Sequence, residues 1–420
     1  MMRGALLLAG LLTLACSDRA RSNPLDPLNP VSHGAPTGFY AATNRDTAHL
    51  VWQSMDVDGL LGYRIHRGVG NNPLAELDTV EPAVTSFMDT PLQYDTRYAY
   101  AVQAITPEGE PAISTPDTVV PGPHNFWLAD FNRGSVERVT YDGGHLLGQR
   151  QLISPEAVAY LPQEGLLWVA DFFDRTVLLL DAGLRELLTI RLPGTPIELA
   201  ADEGGPAVYV LQMDPDSIYH LGTGGQVLEA FGAPAEVSIG GSLAYNGVTG
   251  ALWLGQPVTT TQGRVYQRAL GAGGDWALAA SGLSPRRLAA DPINGGCWVA
   301  TDAGVVKLDP AGGRTTFLPE MQVWDVSVNT ANGDCYYVGW IQAEDRWQAG
   351  RIHGWPDAKI AVILDNSYNS LVRIQALPGP GQTGFITSQS TTGRILRFDG
   401  AGQLMGVLEN YSFPLEFALE

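Results

Sequence analysis

Leu166-Leu167-Trp168-Val169-Ala170-Asp171 decides the reading of this chain, because relatives of it return throughout the sequence after residue 124. Trp127, Trp168, Tyr209, Trp253, Trp298, Tyr336 and Phe385 each sit among aliphatic or small residues. Their spacing is roughly forty to fifty residues, the mark of a repeat architecture. A second column, Val136, Val177, Ile218, Val265, Val305, Ile352 and Ile395, follows each aromatic. Turns such as Tyr141-Asp142-Gly143-Gly144, Asp309-Pro310-Ala311-Gly312 and Asp399-Gly400-Ala401-Gly402 then imply hairpins. A third column precedes each aromatic, as in Val158-Ala159-Tyr160, Leu243-Ala244-Tyr245 and finally Phe417-Ala418-Leu419. Each repeat therefore reads as a small antiparallel sheet.

A sheet that is apolar on both faces cannot bury itself alone, and radial packing against like neighbours solves the problem. The expectation is an all-β chain whose residues 122–420 form a seven-bladed β-propeller. Trp127 lacks a preceding inner strand and Leu415–Glu420 lacks a following aromatic, so the C-terminal strand should pair with the first repeat and remove two exposed edges. Trp127-Leu128-Ala129-Asp130 with Asn132-Arg133, and Gly393-Arg394-Ile395-Leu396-Arg397-Phe398-Asp399, resemble NHL-type repeats. That resemblance implies fold more than activity, since such propellers serve as adhesion modules, scaffolds, lyases and relatives of lactonases.

Upstream, residues 36–121 alternate with period two between turns, as a β-sandwich does. Trp52, Gly62-Tyr63-Arg64-Ile65-His66-Arg67, and Leu92 followed by Thr96-Arg97-Tyr98-Ala99-Tyr100 resemble a fibronectin type III domain. The resemblance implies Trp52 in the core and Tyr98 bonded back to the backbone at a corner. No Arg-Gly-Asp triplet occurs. Residues 1–15 have the layout of a secretory signal, being too short an apolar run to span a bilayer. Leu14-Ala15-Cys16-Ser17 resembles a bacterial lipobox, although Thr13 departs from it, and implies a lipid on Cys16. Residues 16–35, with Pro24, Pro27 and Pro30, read as a semi-extended tether.

Composition excludes some functions. The chain carries 44 acidic and 25 basic residues, a net charge of −19, which disfavours nucleic acid. Lys307 and Lys359 are its lysines, leaving little for Schiff-base chemistry. Cys297 and Cys335 occupy equivalent places in neighbouring repeats, too far apart for a disulfide, so both should be free and buried. With no CxxC, a cysteine-based zinc site is not expected. His145, His220 and His353 fall on or beside outer strands, and no histidine starts an inner strand, which leaves a Ser/His/Asp relay without a supplier.

The binding face of such a fold is the mouth, formed by loops entering the inner strands and leaving the aromatic strands. It should present Phe131, Phe172, Phe173, Trp340, Trp347, Tyr368, Tyr411 and Phe413, with Glu344 and Asp345 in the longest loop. Aromatics with a few charges suit a glycan or a peptide. Aligning the inner strands puts Ala159, Ala200, Ala244, Ala289, Ser327, Gln375 and Ala418 on the axis. Ala157, Glu198, Ser242, Arg287, Asp325, Arg373 and Glu416 form the next layer towards the mouth. Arg287, Asp325, Arg373 and Glu416 alternate in sign around the ring and should pair with their neighbours, either closing the channel or holding a polar ligand or cation.

The expected protein is thus secreted, anchored by lipid to the bacterial envelope at the outer membrane or cell surface. Binding or scaffolding of a protein or glycan ranks ahead of catalysis, and no cofactor is implied apart from a possible Ca²⁺. The alternatives are a metal-dependent lactonase or sugar-acid hydrolase, for which Glu156 is the nearest inner-strand carboxylate, and a purely structural role.

Overall fold

The computed structural model describes residues 22–420 except 110, 203, 235–239, 260–261, 271–273, 379–383 and 413–414. It divides into two compact units, Met1–Pro121 and Gly122–Glu420. Regular structure in both is strand, and a 3₁₀ turn at Gln342–Glu344 is the helical exception among the described residues. Cys16 and Phe413 lie outside the described residues.

The first unit stacks a three-stranded sheet (Tyr40–Asn44, Thr47–Val51, Ser86–Asp89) on a four-stranded one containing Gly62–Val69 and Tyr98–Ile105. Alternating residues from both sheets build one core around Leu50, Trp52, Tyr63, Ile65 and Tyr100. The Trp52 indole meets the Tyr63 ring edge-on at 5.4 Å. At the corner, the Gln93 amide donates to Tyr98 Oη at 3.1 Å. The stretch expected to be a semi-extended tether is instead turned back on itself from residue 23. Ser32 Oγ donates to the Pro24 carbonyl at 2.6 Å, Asn29 Oδ1 accepts from the Val31 amide at 2.9 Å, and Leu25 packs against the core.

The second unit holds, among the described residues, seven four-stranded antiparallel sheets. Six run in simple order, as in Pro155–Leu161, Leu166–Asp171, Thr176–Asp181 and Glu186–Arg191. In the remaining sheet Leu415–Leu419 pairs antiparallel with Phe126–Asp130, Ala418 opposite Trp127. The innermost strands are Pro155–Leu161, Thr195–Asp202, Ser242–Asn246, Pro285–Ala290, Gln322–Val328, Leu371–Ala376 and Leu415–Leu419. Each packs against the next and the last against the first, a closed ring consistent with a β-propeller.

The reason for the fold is visible at each layer. Trp127, Trp168, Trp253, Trp298 and Tyr336 are almost wholly buried, filling the space between sheets. Aspartates start the turns to the outer strands: Asp309 Oδ1 accepts from the Ala311 and Gly313 amides at 2.8 Å, and Asp399 Oδ1 from those of Ala401 and Gln403 at 2.9 and 2.8 Å. Gly393 opens a third strand at φ 61°, where a Cβ would lie 2.2 Å from the Tyr411 carbonyl oxygen, so only glycine fits. Cys297 and Cys335 are unpaired and buried, and burial pushes the Cys297 thiol up to about 12.

Two columns need correction. Gln375 pairs with Ile386, so Ile386 and not Phe385 occupies the aromatic position of its sheet. Val338 pairs with Ala349, so Ala349 and not Ile352 matches Val136 and Val177. In both cases a larger apolar neighbour drew the sequence alignment, whereas hairpin length sets the register.

Candidate functional site on the channel axis

Five of the expected residues converge in the channel. Arg287 lies at its centre: Nη1 donates to Glu198 Oε2 at 2.6 Å, Nη2 donates to Glu416 Oε1, and Nε stands 3.8 Å from Asp325 Oδ1. Arg373 Nε is 3.7 Å from Glu416 Oε2. All five side chains are largely withdrawn from solvent, from 6% exposure at Asp325 to 21% at Arg373.

The geometry differs from the expected ring of neighbouring pairs. Arg287 reaches past Ser242 to Glu198 and across the axis to Glu416, while its adjacent partner Asp325 is the most distant of the three. A long, forked guanidinium can span the axis, and the short Ser242 leaves room for it. Asp325 is engaged elsewhere: Oδ1 accepts from the Val326 amide and Oδ2 from the Ile374 amide, both at 2.9 Å. It latches one inner strand to the next, as Ser242 does through the Leu288 amide and Ser327 through the Ala376 amide.

A sixth charge joins them that strand alternation missed. Five of the seven inner strands carry a bulge at the same place, between Pro155 and Ala157, Pro196 and Glu198, Pro285 and Arg287, Val323 and Asp325, and Leu371 and Arg373. A bulged residue escapes period-two alternation and is re-aimed. Glu156 is such a residue, and it is half-buried within the fields of Arg373, Glu416 and Arg287. Four carboxylates therefore face two guanidiniums. The channel beside them holds a cavity of about 150 Å³ lined by Arg287, Asp325, Arg373, Gln375 and Glu416. A second, of about 320 Å³, is lined by Glu198, Tyr245, Arg287, Glu416 and small side chains.

Burial raises Glu198 to about 8, against the pull of Arg287 and with the push of Glu416 and Glu156. Burial likewise raises Asp325 to about 6 despite Arg287 and Arg373. A carboxyl raised in the folded state keeps a proton that the unfolded chain releases, so its contribution falls as pH climbs from the ordinary carboxylate range. The urea midpoint should therefore decline between about pH 4 and pH 8, and Glu198→Gln should flatten the decline above about pH 6. An equally steep decline in that variant would remove Glu198 as the source.

Around the axis the aromatics divide. Phe131, Phe172 and Phe173 pack on one another at 5.1 to 5.9 Å, with Phe173 68% exposed. Trp340 and Trp347 are cross-strand partners stacked at 6.3 Å, and Trp347 stacks on Trp324, which in turn lies under the Arg286 guanidinium at 4.3 Å. Trp324 and Arg286 are bulge residues that sequence alternation also missed. In the loop, Trp340 Nε1 donates to Asp345 Oδ1 at 3.2 Å, and Glu344 pairs with Arg346 at 2.6 Å. Tyr368 packs inward on Phe398, and Tyr411 Oη donates to Glu137 at 2.6 Å, so neither is a free rim aromatic. Among the described residues, no three His, Cys, Asp or Glu side chains are grouped to hold a metal ion.

No protein-family model and no curated protein matches the chain. Among solved structures, a putative 6-phosphogluconolactonase from Bacteroides uniformis is 11% identical, covering 70% of this chain and 99% of that one with a TM-score of 0.53. AztD from Citrobacter koseri is 8% identical, covering 70% and 98% with a TM-score of 0.51. At such identities the likeness shows a shared fold and carries nothing about activity.

Proposed function

We propose that this chain is a lipid-anchored envelope protein in which a fibronectin type III-like domain presents a seven-bladed, NHL-like propeller whose mouth engages a protein or glycan. The observation that carries the reading is the axial group of Glu198, Arg287, Asp325, Arg373 and Glu416, set beside cavities and flanked by the exposed Phe173 and the Trp340–Trp347 pair. Buried charges with space next to them, ringed by aromatics, suit recognition of a polar group at the centre of an interface. The Tyr98 corner and the Trp52 core support the sandwich assignment. The lipobox-like Leu14-Ala15-Cys16-Ser17 supports the anchor.

The lactonase alternative shares the fold of one structural neighbour, but it needs a metal-binding set, and the axial carboxylates here are interleaved with guanidiniums. Two measurements test the proposal. Cys16→Ser should move the protein from the membrane fraction to the soluble one, because a lipid at that residue is the proposed hold on the bilayer. The same soluble chain, screened against glycans and secreted proteins, should give ligands whose binding weakens with Phe173→Ser or Trp347→Ala. Binding indifferent to both substitutions would remove the mouth as the site.

A further inference from the structure

The stretch between Cys16 and the sandwich holds three consecutive triplets of one kind: Asn23-Pro24-Leu25, Asp26-Pro27-Leu28 and Asn29-Pro30-Val31. In each, Oδ1 of the leading residue accepts from the amide of the closing aliphatic, at 2.9, 2.8 and 2.9 Å. The proline between them has a fixed φ and no amide to satisfy, so each triplet closes as a tight turn. The turns are tied to one another. Asn29 is buried, its Nδ2 donates to the Asn23 carbonyl at 3.0 Å, and its amide donates to the Asp26 carbonyl at 2.8 Å. Gly34, at φ 82°, packs so closely that a Cβ there would stand 3.2 Å from the Leu25 carbonyl oxygen. The segment is a built part of the first unit.

The three aliphatics then part company. Leu25 packs against the core, while Leu28 and Val31 are 64% and 77% exposed. Pro27 and Pro30 beside them are exposed as well. From Pro27 to Val31 the exposed run is interrupted only by the buried Asn29 and contains no charged side chain. A single exposed aliphatic is ordinary; two of them with two prolines, held out by braced turns, form a local apolar tip.

The chain next to this tip decides what covers it. Six residues, 17–22, separate Cys16 from Asn23, and even fully extended they let the two stand at most about 25 Å apart. With a lipid on Cys16 the tip therefore stays close to the headgroups. Those six residues hold Arg19 and Arg21 against Asp18, a net charge of +1 in a chain whose total is −19. A positive link suits anionic headgroups, and apolar side chains suit the boundary beneath them.

Resting on the lipid anchor of the reading above, we propose that Leu28 and Val31 make a second membrane contact: the tip Pro27–Val31 seats on the bilayer that holds Cys16. The segment is thus a foot that fixes one end of the first unit to the membrane surface. The contact is shallow, at headgroup depth, because Asp56 lines the same cleft as Pro30 and Val31 and its charge resists deeper burial.

The test replaces the acyl anchor, so that its outcome does not depend on acylation. The Cys16→Ser chain carries a hexahistidine tag in place of residues 1–15 and is held by nickel-chelating lipid on vesicles of phosphatidylethanolamine and phosphatidylglycerol. A nitrobenzoxadiazole label is placed on Leu28→Cys, Val31→Cys or Tyr94→Cys, while the buried Cys297 and Cys335 stay unlabelled. Tyr94, 45% exposed, belongs to the opposite end of the unit, where the Leu92 amide donates to the Asp46 carbonyl beyond the strand Tyr40–Asn44. Emission from Leu28→Cys and Val31→Cys should move to the blue on the vesicles and be quenched by doxyl-labelled lipid, with that from Tyr94→Cys unchanged. No shift at the two tip positions, or an equal shift at Tyr94→Cys, overturns the proposal. A blue shift at Leu28→Cys that appears without vesicles as the chain is concentrated also overturns it, by making the occupant a second copy. The anchor is scored separately, by mass spectrometry of the native protein. An acylated Cys16 with a tip label that stays in water keeps the anchor and loses the tip; a tip that enters these vesicles while native Cys16 carries no acyl group keeps the tip and loses the anchor.

Discussion

Deleting residues 415–420 should abolish cooperative folding of the second unit or lower its stability by well over 5 kcal/mol, a large share of what a domain of this size holds. Leu415–Leu419 is the inner strand of a sheet whose other three strands lie near residues 126–151. Without it, Phe126–Asp130 becomes an open edge on the axis, and Leu371–Ala376 and Pro155–Leu161 lose the inner strand that packs between them. Phe417 is buried among Phe126, Leu128, Ile386 and Ile395, and a large apolar side chain of that kind contributes about 2 to 3 kcal/mol. The deletion also removes Glu420, whose carboxylate accepts from Arg138 Nε at 2.7 Å and from Nη2 at 2.5 Å, with Arg138 lying over the Trp127 ring. Arg138 would then be left partly buried and unmatched. The single change Glu420→Gln should cost about 1 to 3 kcal/mol, the range for loss of a charge-assisted bond. A truncated chain that melts like the full one would mean the ring does not depend on this strand.

That role for Glu420 shows where the sequence could be read and where it could not. Column spacing was legible because a buried aromatic must recur once per sheet, and the terminal strand was legible because one repeat lacked its inner strand. Facing the aromatic across the hairpin, however, lies a column that no apolar pattern announces: Arg138, His220, Lys307 and Arg351 stand opposite Trp127, Tyr209, Trp298 and Tyr336. Each meets an acid, namely Glu420, Asp202, Asp291 or Asp334. Lys307 is fully buried, donating to Asp291 at 2.5 Å and to the Gly295 carbonyl at 3.0 Å. Charged residues read as surface in a sequence because the partner that permits burial lies elsewhere in the chain. The axial layer was legible from alternation, which placed Glu198, Arg287, Asp325, Arg373 and Glu416 together. Alternation did not place Glu156, Arg286 and Trp324 there, because a bulge breaks period two; the signal was Pro155, Pro196 and Pro285, which mark three of these bulges.

Arg287→Ala should destabilise the second unit by about 3 to 5 kcal/mol near neutral pH, the range for stripping one partner from a buried ionic group. Three carboxylates lose a cation at once, and two of them, Glu198 and Glu416, have it as their nearest counter-charge. The couplings should be unequal. Glu416 and Glu198 take direct bonds from Arg287, so cycles combining Arg287→Ala with Glu416→Gln or Glu198→Gln should give coupling energies of about 2 to 3 kcal/mol. Asp325 sits 3.8 Å from Arg287 Nε and draws on the Val326 and Ile374 amides, so its coupling to Arg287 should stay below about 1 kcal/mol. Asp325→Ala should nevertheless be costly by itself, because it breaks the latch to the next inner strand. The pH dependence carries the same signature. Without Arg287 the carboxyls are held still higher by burial and mutual repulsion, so the variant's deficit should be small near pH 4, where they are protonated, and should grow as pH rises. A deficit that is constant with pH, or an Arg287–Asp325 coupling that exceeds both glutamate couplings, would restore the ring of neighbouring pairs and take Arg287 off the centre of the channel.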